Sequence, residues 1–574
     1  MQETIVDDVR TPFRKPLTQR QVDRRRFMQG LLASGAFASI ATMGRPLAAL
    51  AQATPVASPV ASPADFTGPL AAEQVMTLPS LEPTTMDPGV SYGDDEVNFF
   101  WNIFDGLCEV ETKTGQVVPR CAESWDINDD ATQFTFHIRQ GLTWSDGTPL
   151  NANDFVYAWQ RVLDPNTLSQ YTAAMTPIKN AQAILDGTME LTDLGVKAVD
   201  DYTLQVDLEG STTYFPLLAS TWTFFPVPKH VIDDKGDKWV EAENIVSNGV
   251  FLMTEWTHDQ QIVLEANPTY YGEKPTLTKA TYKIFADTAA QSYVAYEAGE
   301  LDYCPPGGPD LERIYADPAK NAELVKFQLS NCYFVVCDTS NAPTDKVEFR
   351  QALSKAISRD TLGNTVLKGE YEPAYSLLPD NIPGHNPNAT LPESLDDAKA
   401  LLQTAGIDPA SVTLDFTFLN LQFNQTVAEY LQAAWQDGLG IKVTMSPIED
   451  STYSDWRASR ETQPFGVYTG SWGSDFADAS NWFNQNFTST ADHYRNHWKN
   501  DQFDQIAAQA AVDTNTEERN QLYSQAEAIL INDAPIIPLL HGKAVRAVKP
   551  WVKDLYFQPI LSVVHLRTIK IAEH

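Results

Sequence analysis

The chain has 574 residues, 43% of them hydrophobic, enough to bury a large core divided over two or three domains. Its 75 acidic against 41 basic side chains leave a net charge of −34, which argues against nucleic acid or an anionic membrane surface as a partner. Five cysteines are few for this length, so stability does not rest on a disulfide framework.

The amino terminus reads as a targeting segment. Arg24-Arg25-Arg26-Phe27-Met28 precedes an apolar stretch, Leu31 to Met43, that is too short to span a bilayer. Ala49-Leu50-Ala51 then offers a small-residue cleavage site. Arg24-Arg25 with Phe27 and Met28 resembles a twin-arginine export signal, and an ordinary secretory signal is the plainer alternative. No cysteine near the cleavage site suggests a lipid anchor. From Ala53 to Ala64 the run A-T-P-V-A-S-P-V-A-S-P-A is too poor in large apolar groups to fold and reads as an extended tether. Residues 1–51 are therefore expected to be a signal and 52–71 a linker, with the mature protein exported and soluble.

Cys108 and Cys121 flank a hairpin turning at Thr114-Gly115, and a bridge across its base stays open as an expectation. Alternation in Thr132–Arg139 puts Phe134, Phe136 and Ile138 on one face, and in Asp201–Leu208 it aligns Tyr202, Leu204, Val206 and Leu208; both predict half-buried antiparallel strands. Trp144 to Pro165, W-S-D-G-T-P-L-N-A-N-D-F-V-Y-A-W-Q-R-V-L-D-P, joins a strand exit, a turn at Gly147 and Pro149, and a helix. Asn151 or Asn153 caps that helix, Asp154 sits in its first turn, and Phe155, Trp159 and Val162 recur at helical spacing. Cys332 and Cys337, five apart on a strand, point to opposite faces and are not expected to pair; Cys304 makes the count odd.

Between 394 and 475 the pattern is strand–helix–strand. Ser394 with Asp397 caps a helix ending at Gly406, and a strand follows from Val412 to Phe418. A helix from about Thr426 to Asp437 and a strand from Ile441 to Ser446 predict a parallel pair with a right-handed crossover. Another strand, Phe465 to Gly470, runs into S-W-G-S-D-F. Ligands gather at the carboxyl ends of such strands, so residues 471–475 form a candidate binding loop. A helix from about Thr516 to Asn532 precedes short strands at Ile536–Leu540, Ala544–Val548 and Val563–Ile571.

No nucleophile elbow, zinc helix, phosphate loop or C-x-x-C pair occurs, so no catalytic residue and no cofactor is assigned. His493 and His497 stand four apart beside Asp492, but no third ligand is placed, and the pair is read as solvated loop histidines rather than a metal site.

Taken as a string, Trp144–Pro165 is similar to the signature of the extracellular solute-binding proteins of family 5, the oligopeptide-binding proteins of ABC importers. The resemblance extends over nearly all of 75–574. It runs through L-E-P-T-T-M-D-P from Leu81, I-F-D-G-L from Ile103 and G-V-K-A-V-D-D-Y-T-L from Gly195, then F-P-V-P-K-H from Phe225 and V-K-P-W from Val548. It implies an α/β fold: a two-lobed periplasmic-binding-protein clamshell with an accessory domain, mixed sheets flanked by helices and lobes closing by hinge motion. Lobe 1 would comprise 72–104, 229–328 and 544–574, the accessory domain 105–228, and lobe 2 residues 329–543.

The resemblance further implies a monomeric receptor that grips an extended peptide by its main chain, along Tyr92, Gly93 and Asp94 in one lobe and Ser471, Trp472 and Gly473 in the other. The peptide would pass to permease subunits in the membrane. Asp475, just after the tryptophan, would take the ligand's free α-amine. Arg460 matches one position where relatives meet the ligand's carboxylate, but the nearer position holds Thr469, and Gly473 stands where some relatives have a bridging cysteine. Other solutes, such as a dipeptide, nickel chelate or oligosaccharide, remain the alternative within the family, and a secreted hydrolase the alternative outside it.

Overall fold

The computed structural model describes residues 65–91, 94–557, 560 and 563–574. The signal, most of the linker, Tyr92 and Gly93 lie outside the described residues.

Three larger sheets organise the molecule. The first carries Val75–Ser80 parallel to Lys279–Ile284, followed by Gln261–Ala266 and Phe251–Thr257 in antiparallel order. The second is antiparallel and lies within 122–207: Ala122–Ile127, Gln133–Ile138, Thr203–Asp207 and Val196–Asp200. Phe134 stands opposite Val206 and Phe136 opposite Leu204, all fully buried, as alternation predicts. The helix Ala152–Leu163 covers this sheet. Asn151 is its cap, its Oδ1 accepting the Asn153 N–H at 2.9 Å while the Asp154 carboxylate accepts the Asn151 N–H at 2.8 Å. Phe155, Trp159 and Val162 are buried, worth roughly 1.5–3 kcal/mol each for the aliphatic and phenyl groups. Cys108 and Cys121 remain separate buried thiols, donating to the carbonyls of Pro216 and Asp105, so the hairpin base is not bridged.

The third sheet carries the site. Its elements in chain order are β1 (Leu324–Cys337), β2 (Thr413–Leu419), α1 (Gln422–Leu439), β3 (Lys442–Ile448), α2 (Asp450–Ser459), β4 (Val467–Gly473), α3 (Ser480–Asn486), α4 (Thr516–Asp533) and β5 (Ile536–Val548). The strand order is Tyr303–Cys304, β5, β1, β4, β2, β3. β2 and β3 are parallel and joined through α1, the crossover the sequence pattern predicts. Cys332 and Cys337 do fall on opposite faces, each in a different buried cluster.

Three elements differ from the sequence pattern. α1 starts four residues earlier, at Gln422, where Phe423 packs against the buried cluster and the flanking glutamines are good helix formers. The strands expected at 536–540 and 544–548 are one strand, β5, running through Gly542. That glycine is there for close approach, not a turn: its N–H donates to Asn331 Oδ1 at 2.8 Å, and a Cβ would meet that oxygen at 2.0 Å. Val563–Ile571 holds only a bridge at Val564 and the two-residue strand Lys570–Ile571.

β1 and β5 pair over 324–328 with 543–547, lose register between Gln328 and Cys332, and resume over 332–336 with 536–541. Val545 and Ala547 pack with Tyr293, Leu301 and Ile314 on one side of this break, and Val335, Ile537 and Leu539 pack with α1 on the other. Two long strands thus run from one lobe into the next, with their weakest pairing between the two.

Candidate functional site

β4 leaves the sheet with one edge open. Ser474 N–H donates to the Ser330 carbonyl at 2.8 Å and Asp338 N–H to the Gly466 carbonyl at 3.2 Å, which sets the antiparallel alternation with β1. Tyr468, Gly470 and Trp472 therefore turn their backbone groups towards β1, and Thr469, Ser471 and Gly473 turn theirs away. β2 pairs with β4 only at Val467 and Tyr468. From Thr469 onward no strand among the described residues covers that edge. Tyr494 Oη donates to the Ser471 carbonyl at 3.0 Å. Ser471 and Gly473 are exposed, and Trp472 is half-buried, its indole meeting the His493 ring at 5.4 Å. Residues 471–473 are thus strand rather than loop.

The open edge ends at Asp475. Asn481 Nδ2 donates to its Oδ2 at 3.0 Å, and its own N–H donates to Asn481 Oδ1 at 3.0 Å. The side chain is exposed by surface area, yet surrounding protein desolvates it and raises its carboxyl pKa, against hydrogen bonds from Asn481 and Tyr171 that lower it. Protein packed against one side of the carboxylate, with solvent on the other, produces that combination. Tyr171 reaches this turn from the chain segment that carries the second sheet, and Tyr214 of the same segment stacks on Phe476 at 5.0 Å. Among the described residues no cation pairs with Asp475.

The other candidates are placed differently. Tyr92 and Gly93 lie outside the described residues. Asp94 opens the helix Asp94–Ile103. The segment before them is braced by Glu96, which accepts from Thr84 N–H at 2.8 Å and Thr84 Oγ1 at 2.7 Å, and by Asp87, held by Arg161 at 3.0 and 2.6 Å. Arg460 is not brought together with Asp475. Its guanidinium folds back on its own turn, donating to Trp456 O, Ser459 Oγ, Gln463 Oε1 and Pro464 O while covering the Trp456 ring at 4.9 Å. His493 is not a solvated loop histidine. Burial and the neighbouring Arg457 and Arg495 push its pKa well down, and Arg457 donates to its carbonyl at 2.9 Å. His497 turns instead to Asp338 at 3.2 Å. No cluster of ligating side chains suited to a metal occurs among the described residues.

Sequence reasoning missed Asn481, Tyr171 and Tyr494. Asn481 alone left a trace, as an amide opening the aromatic helix N-W-F-N-Q-N-F.

Long strands bridging two lobes, an open strand edge and a carboxylate with no cation partner among the described residues are the arrangement a solute-binding receptor needs. Comparison with known proteins makes the class specific. Residues 116–494 match the model of the bacterial extracellular solute-binding proteins, family 5, and the chain belongs to that family. It is 33% identical over 516 residues to the probable deoxycholate-binding periplasmic protein YgiS of Escherichia coli, covering 88% of this chain and 95% of that one. It is 32% identical over 504 residues to the periplasmic murein peptide-binding protein MppA of the same organism, covering 86% and 92%. The unliganded open form of MppA superposes with a TM-score of 0.81 over 89% of this chain and 99% of the other, at 31% identity. The Haemophilus influenzae OppA complex with the peptide RPPGFSPFR reaches 0.63 over 88% and 100%, at 28% identity.

Proposed function

We propose that the chain is an exported, monomeric receptor of an ABC importer that captures peptides in extended form between its lobes and delivers them to membrane permease subunits. It binds without chemistry. The observation that carries this is the edge Thr469–Gly473, three residues of outward backbone groups, leading to a desolvated carboxylate without a counter-ion. Such an edge takes a peptide main chain as an added strand, indifferent to its side chains, and the carboxylate takes its terminal ammonium. Ser471, Trp472, Gly473 and Asp475 form one wall. Tyr92, Gly93 and Asp94 form the facing wall in lobe 1, and closure bends the β1–β5 pair between Gln328 and Cys332. Deoxycholate, the ligand in the name of one relative, is an anion, and Asp475 would repel it.

Calorimetry with a tripeptide and its N-acetylated form tests this reading. Tight binding of the first and at least tenfold weaker binding of the second is expected; equal binding, or none, refutes it. Export by the twin-arginine route completes the proposal. Arg24-Arg25-x-Phe27-Met28 supports it, as do five cysteines that are all buried and unbridged, a state suited to folding before crossing the membrane. Lysine at both Arg24 and Arg25 should strand the precursor in the cytoplasm; unaltered export would exclude the route.

A further inference from the structure

Asn481 is fully buried in the first turn of α3, yet its side chain is spent on the cleft wall. Its Oδ1 accepts from the Asp475 N–H at 3.0 Å and the Trp472 indole N–H at 3.3 Å. Its Nδ2 donates to Asp475 Oδ2 at 3.0 Å and to Gln485 Oε1 at 2.8 Å. Two obligate donors facing one oxygen fix which way the amide points. One side chain thereby sets both the indole beside the open strand edge and the carboxylate at its end.

The choice of amide has an electrostatic consequence. A carboxylate among protein atoms needs donors, and a guanidinium would supply them while cancelling the charge. That happens three residues on, where both nitrogens of Arg519 donate to Asp478. Asn481 donates to Asp475 and brings no charge, and so does the Tyr171 hydroxyl. Among the described residues, other ionisable groups around these are His493 beside Trp472, its pKa pushed well down by burial and the neighbouring Arg457 and Arg495, Arg457 itself, which donates to His493, and the Asp478–Arg519 pair.

We infer that Asn481 is a positioning residue: it holds Asp475 in place without neutralising it, reserving the full negative charge for a ligand's primary ammonium group at the end of an extended main chain. This rests on the peptide-receptor reading and adds to it the side chain that decides between charged and uncharged ligand termini.

The test uses the mature chain, trialanine and N-acetyl-trialanine, with calorimetry from pH 6 to 8.5. Asn481→Leu removes all four hydrogen bonds while keeping the branched outline of the side chain. It should weaken trialanine about tenfold or more and the acetylated peptide clearly less, so that the preference between the two shrinks. Asn481→Asp keeps the shape and places two carboxylates about 3 Å apart, which cannot both ionise freely. Its affinity for trialanine should step with pH across this range where the wild type is flat. Should Asn481→Leu fail to fold, the isosteric Asn481→Asp decides alone. Retained preference in the leucine variant, or no pH step in the aspartate variant, overturns the role of Asn481 while the wild type's amine preference keeps the receptor reading intact. A wild type that does not distinguish the two peptides overturns the reading itself, and this inference with it.

Discussion

Asp475 and Asp478 lie three residues apart on one turn and meet opposite surroundings. Asp478 is buried, bonded by both nitrogens of Arg519 and by Ser480, and its pKa is lowered by that cation against desolvation. Asp475 is exposed to solvent, is held by neutral donors, and its pKa is raised by desolvation. Burial acts on both; the counter-charge separates them. A paired carboxylate serves the fold, whereas an unpaired one is kept at some expense in stability and is of use only when a cation arrives from outside.

The largest effect expected from breaking this contrast is at Asp478. Asp478→Ala leaves the Arg519 guanidinium buried without its partner, beside Tyr214 and Tyr523. Such a loss costs about 3–5 kcal/mol, and thermal unfolding should show a drop of several degrees. A melting temperature within one degree of wild type would show that the pair does not hold this segment. Next comes Asp475→Ala, expected to weaken free-amine peptides by about 1.5–3 kcal/mol, or roughly 10- to 150-fold, with no loss of melting temperature. If it destabilised the fold as Asp478→Ala does, the contrast would fail.

The pH responses should differ in sign. Asp478 has a depressed folded pKa, so its stability contribution is full above the unfolded value near 3.8 and is lost as pH falls through the lower folded value. Asp475 has a raised folded pKa, so protonation relieves the empty protein as pH falls through it. Protonation also removes the charge that a ligand ammonium needs. Affinity for a free-amine peptide should therefore fall by up to tenfold per pH unit below the raised pKa, while the N-acetylated peptide shows no such slope. Calorimetry at pH 4, 5 and 6 separates the two cases.

Parts of this were legible in the residues and parts were not. The cap at Asn151 with Asp154, and the parallel unit of β2, α1 and β3, depend on neighbours in sequence and on simple periodicity, which one chain displays directly. The open edge of β4 does not: it exists because β2 stops pairing at Thr417, fifty residues away in sequence, so Ser471–Gly473 looked like a loop. The continuity of β5 through Gly542 was hidden too, because the glycine's partner, Asn331, is 211 residues distant. Asp475 could be singled out through the family resemblance, but its lack of a counter-ion is a property of the folded cleft. Asn481 showed only as an amide opening an aromatic helix; its role stayed hidden because its partners are set by packing of α3 against the end of β4.

A smaller effect is expected on the strand edge. Gly473 presents its N–H outwards, and a Cβ there would meet only Asn331 Cβ at an ordinary 3.6 Å. Gly473→Ala should therefore bind as wild type. Gly473→Pro, which removes the outward N–H at an edge position that tolerates proline, should lose about 1 kcal/mol, roughly fivefold, for free and N-acetylated peptides alike. That equality distinguishes main-chain pairing from the ammonium anchor, and proline binding as well as alanine would show that this N–H takes no part.

The smallest effect is expected at Arg460, and it extends the contrast to the cationic side of the site. A guanidinium that bound the ligand's carboxylate would have donors turned to the cleft, whereas those of Arg460 are committed to Trp456, Ser459, Gln463 and Pro464 within its own turn. Thr469, nearer on β4, has no charge to offer. On this reading the site is asymmetric, with an anion for the amine end of the peptide and an Arg460 already committed elsewhere at the other. Arg460→Ala should change affinity for a free-acid peptide less than twofold, and amidation of the peptide's carboxyl end should be equally silent. A tenfold loss confined to free-acid peptides would mean that closure pulls Arg460 off its turn and into the cleft. If both substitutions are silent, one charged end is enough, and peptide length is left unread because nothing measures the distance to the second.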